Sequence, residues 1–510
     1  MDDSLSQVYK PLNLALAIGG ILVAANIFRA LYTVFFHPLR KIPGPWYAKA
    51  FRLPYIRHLL DGSSVTWLTG LHAKYGPVVR YSPNEVSVIE GDVAWQEVYG
   101  FRTGKQKGTG SFLKDRVWYA PPISGVPSVI LADDAGHSRQ RRILSHAFSE
   151  KSLRNQEWLI QKYADLLVSR LKETSVAQHE AADLTQWYNW TTFDIIADLT
   201  FGKPLGCLAE ARTHKYVQLL LGSVKAFSLF YVMSYWPILK NIQKYVVSSQ
   251  LLKQRAEWNL FVTDSTTKRM EAETDRHDFM TDILAKKRDE EEKGHEGITT
   301  REIVSNANLL MIAGTETTAT VLAGTTYLML KHPDVYQKVR DEVRSRFTSQ
   351  DEISIEAAGN LSYMLAVLNE TMRYMPPVPA GFVRKVPRDG AEVAGYWFSG
   401  DCNASVSVSQ YPSYHSPSNF RDPDSYVPER WLGEARYADD NRATFQPFSF
   451  GPRNCLGKNL AYAEMRVILA KMLFNFDMEL EESSVGWFER MNVKTLWVKP
   501  ALEVKMTAVR

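Results

Sequence analysis

The sequence predicts a mostly α-helical α+β protein, in which a large helical domain with a small β region follows one N-terminal transmembrane helix. Three observations carry this reading. Apolar residues recur at helical steps in long segments, notably over 300–331, 363–373 and 456–474, the last with Leu456, Leu460, Ala463, Val467, Ala470 and Phe474. Strand-like patterning is clearest at 78–89. The 18 residues from Pro11 to Phe28 carry no charge. The chain has 510 residues, 45% apolar and 23% charged, enough for a large core. Without internal repeats or a Gly/Ser linker, it divides into an anchor (1–36), a proline-rich hinge (37–46) and one large domain (47–510). A net charge of +4, with no basic stripe, gives no electrostatic support for nucleic-acid binding. Cys207, Cys402 and Cys455 are too few and too scattered for a disulfide framework or zinc cluster, and they imply a reducing compartment.

At about 1.5 Å per residue, the uncharged run covers about 27 Å, close to the ~30 Å of a bilayer core. It exceeds the apolar stretch of a cleaved signal peptide. Asp2 and Asp3 precede it, while Arg29, Arg40 and Lys41 follow, which by the positive-inside rule faces the domain to the cytosol. Pro38, Pro43 and Pro45 stop the helix and stiffen the hinge. Residues 78–81 and 86–89 form a hairpin about a Ser82-Pro83-Asn84 turn, and 101–131 is a long loop. A helix opens at His137 and ends near Phe148; His137 and Arg141 share one face. Residues 187–199 are core helix, 215–247 is an aromatic apolar segment, and the charge run 286–293 is a solvated connector. Glycosylation-like sequons at Asn189, Asn360, Asn369 and Asn403 are chance matches on a cytosol-facing domain. The helix over 300–331 stops at Pro333, the helix through 363–373 ends at Pro376, and Glu370 and Arg373 are spaced to pair.

Phe448-Ser449-Phe450-Gly451-Pro452-Arg453-Asn454-Cys455-Leu456-Gly457 places a cysteine at a helix N-terminus. The partial positive charge there, with Arg453 nearby, favours the thiolate that ligates metals. This run resembles the haem loop of the cytochrome P-450 superfamily of haem-thiolate monooxygenases, Phe-x-x-Gly-x-Arg-x-Cys-x-Gly, with Phe448, Gly451, Arg453, Cys455 and Gly457 in the fixed positions.

The resemblance covers residues 43 to 457 and assigns roles. Cys455 is the axial ligand of haem b iron. Ala313-Gly314-Thr315-Glu316-Thr317-Thr318 resembles the oxygen-activation motif. In it Gly314 makes room for dioxygen, Thr317 and Glu316 deliver protons, and a mid-helix Thr bonds a carbonyl one turn back. His137, where the family more often has Trp, together with Arg141 and Arg384, binds the haem propionates. Glu370 and Arg373, completed by Arg430 of Tyr426-Val427-Pro428-Glu429-Arg430, form a buried structural triad. Val378, Pro379, Phe382 and Ala313 line the substrate pocket, 101–131 covers the distal haem face, and 215–247 contributes a roof at the membrane surface. A turn near Arg490-Met491-Asn492-Val493 re-enters the pocket. The implied reaction inserts one oxygen atom from dioxygen into a hydrophobic molecule. Its electrons come from NADPH through NADPH-cytochrome P-450 reductase, with cytochrome b5 as a further donor, at the endoplasmic reticulum membrane, and no oligomer is required. Ser416-Pro417-Ser418-Asn419-Phe420-Arg421-Asp422-Pro423-Asp424, His137, and Gly457-Lys458-Asn459-Leu460-Ala461 are similar to fungal secondary-metabolism members, implying a terpenoid or polyketide substrate. Two other readings are a reductase-independent haem-thiolate isomerase or dehydratase and a non-catalytic membrane-tethered haem or sterol binder.

Overall fold

The computed structural model describes residues 2–103, 109–119, 125–236 and 248–509; the side chains at 2–12, 220, 221 and 223–227 are outside its description. Helix α1 spans Asp2–Phe35 and exposes every residue from 13 to 29. Its stretch Asn13–Phe35, with mean hydropathy 2.0, is long and apolar enough to cross a membrane. The hinge is docked onto the domain. The His37 ring accepts the Leu39 N–H at 3.1 Å, which starts a 3₁₀ turn over Pro38–Lys41. Leu39 and Ile42 are buried, and the Arg80 N–H donates to the Pro43 carbonyl at 2.7 Å. Gly44 at φ +152° is required there, because a Cβ would collide with the Arg80 carbonyl.

Helix α2 (Leu53–Asp61) leads to the hairpin of β1 (Val78–Ser82) and β2 (Glu85–Val88), with Val78 opposite Val88. β2 pairs in parallel with β8 (Ser405–Val408); β8 pairs antiparallel with β5 (Arg384–Lys385), and β5 with β3 (Leu113–Lys114). That last pairing sets Lys114 opposite Arg384. β4 (Ala182–Asp183), β12 (Glu503–Ala508) and β9 (Phe476–Leu480) make a second sheet; β6 (Ala391–Val393) with β7 (Tyr396–Phe398), and β10 (Asn492–Lys494) with β11 (Leu496–Val498), are separate hairpins.

The core is helical. Helix α3 (Asp134–Leu144) starts three residues before His137 because Asp133 caps it by accepting the Gly136 N–H, and a 3₁₀ turn carries it to Phe148. α4 (Glu150–Leu171), α5 (Leu184–Phe201) and the central α9 (Thr300–Lys331) pack together, and α5 is buried on nearly every side, its buried Asp194 being satisfied internally by accepting the Leu205 and Leu208 N–H groups. α9 opens on a capping box between Thr299 and Glu302 and closes at His332, before Pro333 begins α10 (Pro333–Arg346). α11 (Ser362–Tyr374) and α12 (Lys458–Asn475) complete the core.

Two expectations change. The run 286–293 is the end of helix α8 (Phe279–Glu292), since Lys286–Glu290, Lys287–Glu291 and Lys293–Asp289 pair one turn apart and support the helix. Glu290 is buried there against Arg142. α12 starts at Lys458, leaving Cys455 in the preceding loop. Of the roof segment, helix α6 (Lys215–Ser234) is described and Tyr231 packs on Tyr55 of α2, while 237–247 and the Phe227 side chain lie outside the described residues. Within 101–131, the described part holds only the two-residue β3, and 104–108 and 120–124 lie outside.

Candidate active site

The loop around Cys455 is held from several directions. Its N–H donates to the Phe448 carbonyl at 2.9 Å, closing the turn. Gly451, at φ +74°, lies so near the Tyr99 carbonyl that no Cβ fits. A Cβ on Gly457 would meet Phe148 Cε1 at 3.9 Å and Cys455 Sγ at 4.0 Å, in ordinary contact. Phe448 packs on Tyr462 of α12, with ring centroids 5.2 Å apart. Cys455 is exposed to solvent although protein surrounds it closely. Burial pushes the thiol up, while the Gly457 N–H, Arg141 and Lys458 pull it back, so the helix terminus does not by itself secure a thiolate. Cys207 is buried with its thiol pushed up to about 12 by desolvation, and Cys402 donates to the Ser399 carbonyl.

Beside this loop lies a cluster of buried cations. Arg384 is 3% exposed and its Nε has no partner; Arg453 donates Nη2 to the Ala132 carbonyl and Asp134, while its buried Nη1 has none. Lys114 is buried opposite Arg384, with Nζ 3.2 Å from the Tyr119 hydroxyl. Desolvation, then Arg384 and Arg453, hold the Lys114 ammonium well below its ordinary range. Burial, then Arg453, Arg141 and Lys114, lower His137 to about 3. Arg141, expected at the propionates, donates to the Asn454 carbonyl (2.7 Å) and Asn454 Oδ1 (2.5 Å), which ties it to the cysteine loop.

Along α9, Leu309, Leu310, Ala313 and Thr317 lie at helical spacing and are exposed or half-buried, as are the neighbouring Asn308, Ile312 and Gly314, so this part of a mostly buried helix borders a cavity. Thr317 Oγ donates to the Ala313 carbonyl at 2.7 Å. At Gly314 a Cβ would lie 2.7 Å from Ile196 Cδ1 of α5, so the glycine also permits close helix packing. Glu316 is buried and pairs with Lys499 at 2.8 Å. Phe382 is half-buried 6.2 Å from Trp118 and 5.9 Å from Lys114 Nζ; Val378 is half-buried, and Pro379 is buried with its carbonyl accepting the Tyr411 N–H.

The triad gathers around a fully buried Glu370 carboxylate. It accepts from Arg373 Nη2 (2.9 Å) and Nε (3.0 Å), Arg430 Nε (3.1 Å), the Val427 N–H and Trp431 Nε1. Arg373 also donates to the carbonyls of Tyr414, Pro423 and Ser425, and Arg430 to Asp440, which balances the second arginine. Asp440, Lys114 and Lys499 escaped the sequence reading, and Asn454 and Trp431, though inside the motifs, had no role assigned. Their neighbours Cys455 and Arg430 were the only signal for these last two.

The match to known proteins settles the family. Residues 44–506 match the cytochrome P-450 family model. The chain belongs to the cytochrome P-450 family. It is 48% identical to cytochrome P-450 monooxygenase traB of Penicillium crustosum over 98% of both chains. It is 45% identical to cytochrome P-450 monooxygenase lcsI of Purpureocillium lilacinum, over 94% of this chain and 92% of that one. Averantin hydroxylase of Dothistroma septosporum is 38% identical, over 96% and 90%. This P-450 is accordingly a haem-thiolate monooxygenase, taking electrons from a redox partner and acting on a hydrophobic substrate. The residues present fit haem. Its carboxylates match the buried cations with unpartnered Arg384 Nε and Arg453 Nη1, and its iron matches the exposed sulphur of Cys455.

Proposed function

We propose that this P-450 hydroxylates or epoxidises a terpenoid or polyketide intermediate of fungal secondary metabolism. The observation that carries the site reading is that Cys455 shares one loop with Arg453, whose free nitrogen joins the buried cations Arg384 and Lys114. Cys455 would ligate the haem iron as a thiolate, and Arg384, Arg453, Lys114 and His137 would hold its propionates. Bound there, haem supplies the chemistry of oxygen insertion, with thiolate donation favouring O–O cleavage. Thr317 delivers protons from the cavity wall, assisted by Glu316. Ala313, Val378, Pro379 and Phe382 contact substrate.

The partners we infer are NADPH-cytochrome P-450 reductase and cytochrome b5. A concavity of about 800 Å³ on the outer side of the cysteine loop supports docking there. Its lining includes Arg141, Arg142, Lys458, Phe448 and Tyr462 and no residue of α9, so an acidic partner would approach the loop from outside. α1 anchors the enzyme in the endoplasmic reticulum membrane with the domain facing the cytosol. That averantin hydroxylase is named for a hydroxylation supports the reaction type.

The test is the ferrous carbon monoxide spectrum. The wild type is expected to absorb at the long-wavelength position of thiolate-ligated haem, and Cys455→Ala to lose that band. A band retained in the variant would move the ligand elsewhere.

A further inference from the structure

Lys499 is not an ordinary lysine. Its side chain is 3% exposed, and Nζ donates to Glu316 Oε2 at 2.8 Å and to Thr320 Oγ at 2.9 Å, two residues one turn apart on α9. Its backbone is fixed on both sides. β11 precedes it, and after it the Pro500 carbonyl accepts Trp487 Nε1 (2.9 Å) and Thr185 Oγ (3.0 Å), while the Leu502 N–H donates to Asp183 (3.0 Å). The ammonium is therefore delivered to α9 from a rigid segment. It pins one carboxylate oxygen of Glu316 and leaves Oε1 with no hydrogen bond among the described residues. Glu316 is the residue beside Thr317, which lies where α9 borders the cavity.

We propose that Lys499 is a positioning residue for proton delivery: it fixes the Glu316 carboxylate in the rotamer from which Oε1 serves the Thr317 side of the cavity. This rests on the reading of Glu316 and Thr317 as the proton-delivery pair. A long carboxylate side chain has several rotamers, and a proton transfer tolerates little misplacement. A buried amine at 2.8 Å selects one of them, and Thr320 fixes the amine in turn. The competing account is that the pair merely ties the C-terminal segment to α9.

The experiment compares Lys499→Met, Lys499→Arg and Glu316→Gln in the haem-loaded enzyme with its reductase. Haem content, the ferrous carbon monoxide spectrum and the substrate-induced Soret shift are recorded beside product formed per NADPH consumed. Lys499→Met is expected to keep its haem, its spectrum and its substrate affinity while product per NADPH falls about tenfold, less than the ~10² to 10⁴ attached to a positioned proton transfer. Lys499→Arg, which retains a charged donor, is expected to recover most of the coupling. If Lys499→Met stays coupled while Glu316→Gln uncouples, or if Lys499→Met loses haem, the proposal is overturned and the pair is structural. If Glu316→Gln itself stays coupled, the underlying reading of Glu316 fails instead.

Discussion

Thr317 shows how much a single side chain carries. Its hydroxyl reaches back to Ala313 at 2.7 Å, while neighbouring hydroxyls are committed elsewhere: Thr315 is fully buried and bonded to Met311, and Thr318 faces Glu464. Thr317→Ala removes few atoms and touches neither Cys455 nor the cations. Haem and substrate binding are therefore expected to persist, with NADPH still consumed, while product per NADPH falls about tenfold or more and hydrogen peroxide rises. Thr317→Ser, able to make the same one-turn-back bond, restores most of the coupling. Full coupling in Thr317→Ala would remove the hydroxyl from the mechanism. Candidates of this kind stand in local patterns, Thr317 in a six-residue motif and Cys455 in a ten-residue loop, and the pairing of Glu370 with Arg373 was legible because they are one turn apart. Lys114, Asp440 and Lys499 were not. Each acquires its partner through tertiary contact, and an isolated Lys or Asp in a loop has no period by which to be recognised.

Elements were legible where caps and breakers punctuate them. α9 runs over the predicted span because a capping box opens it and Pro333 follows it. α8 was misread because its final turns are all charged, and charge alone does not distinguish a solvated loop from a helix supported by one-turn pairs. α12 hides a group that apolar periodicity does not reveal. Glu464 is 2% exposed and accepts a hydrogen bond from Thr318. Burial raises its pKa to about 8, above the unfolded value of about 4.5. The folded protein thus holds a proton that the unfolded chain has released between these values, and the stability associated with the neutral group is lost as pH rises from about 4.5 towards 8. The limiting slope for one group is about 1.4 kcal/mol per pH unit. Glu464→Gln keeps the shape and removes the titration. Urea unfolding at pH 5 and pH 8 is expected to show the variant gaining stability on the wild type as pH rises. A difference independent of pH would mean that the carboxyl does not titrate across this window.

For the whole molecule, the question is which parts the fold requires. From residue 13 to residue 29, α1 touches nothing, and Leu14, Leu16, Ile21 and Phe28 are each more than 60% exposed. A soluble monomer rarely displays an apolar patch above a few hundred Å², so something must cover this surface. A 23-residue span at about 1.5 Å per residue is about 35 Å long, matching a bilayer core of ~30 Å with a modest tilt. Burial starts at Thr33, at the end of α1, and continues through the hinge at His37, Leu39 and Ile42. Because the hinge is docked against the sheet, a truncation that spares it should cost the fold little. Deleting residues 1–36 is expected to shift the protein from the membrane pellet towards the supernatant on flotation or centrifugation, with haem content and the carbon monoxide spectrum unchanged. Some peripheral association remains expected, since Trp46 and Leu53 on the domain surface are also exposed. A deletion that also removed Leu39 and Ile42 would open a buried apolar site at about 2 to 5 kcal/mol per large side chain, a large share of a typical total of about 5 to 15 kcal/mol. Haem loss in the shorter deletion would show that α1 belongs to the fold; haem loss only in the longer one would place the boundary at the hinge.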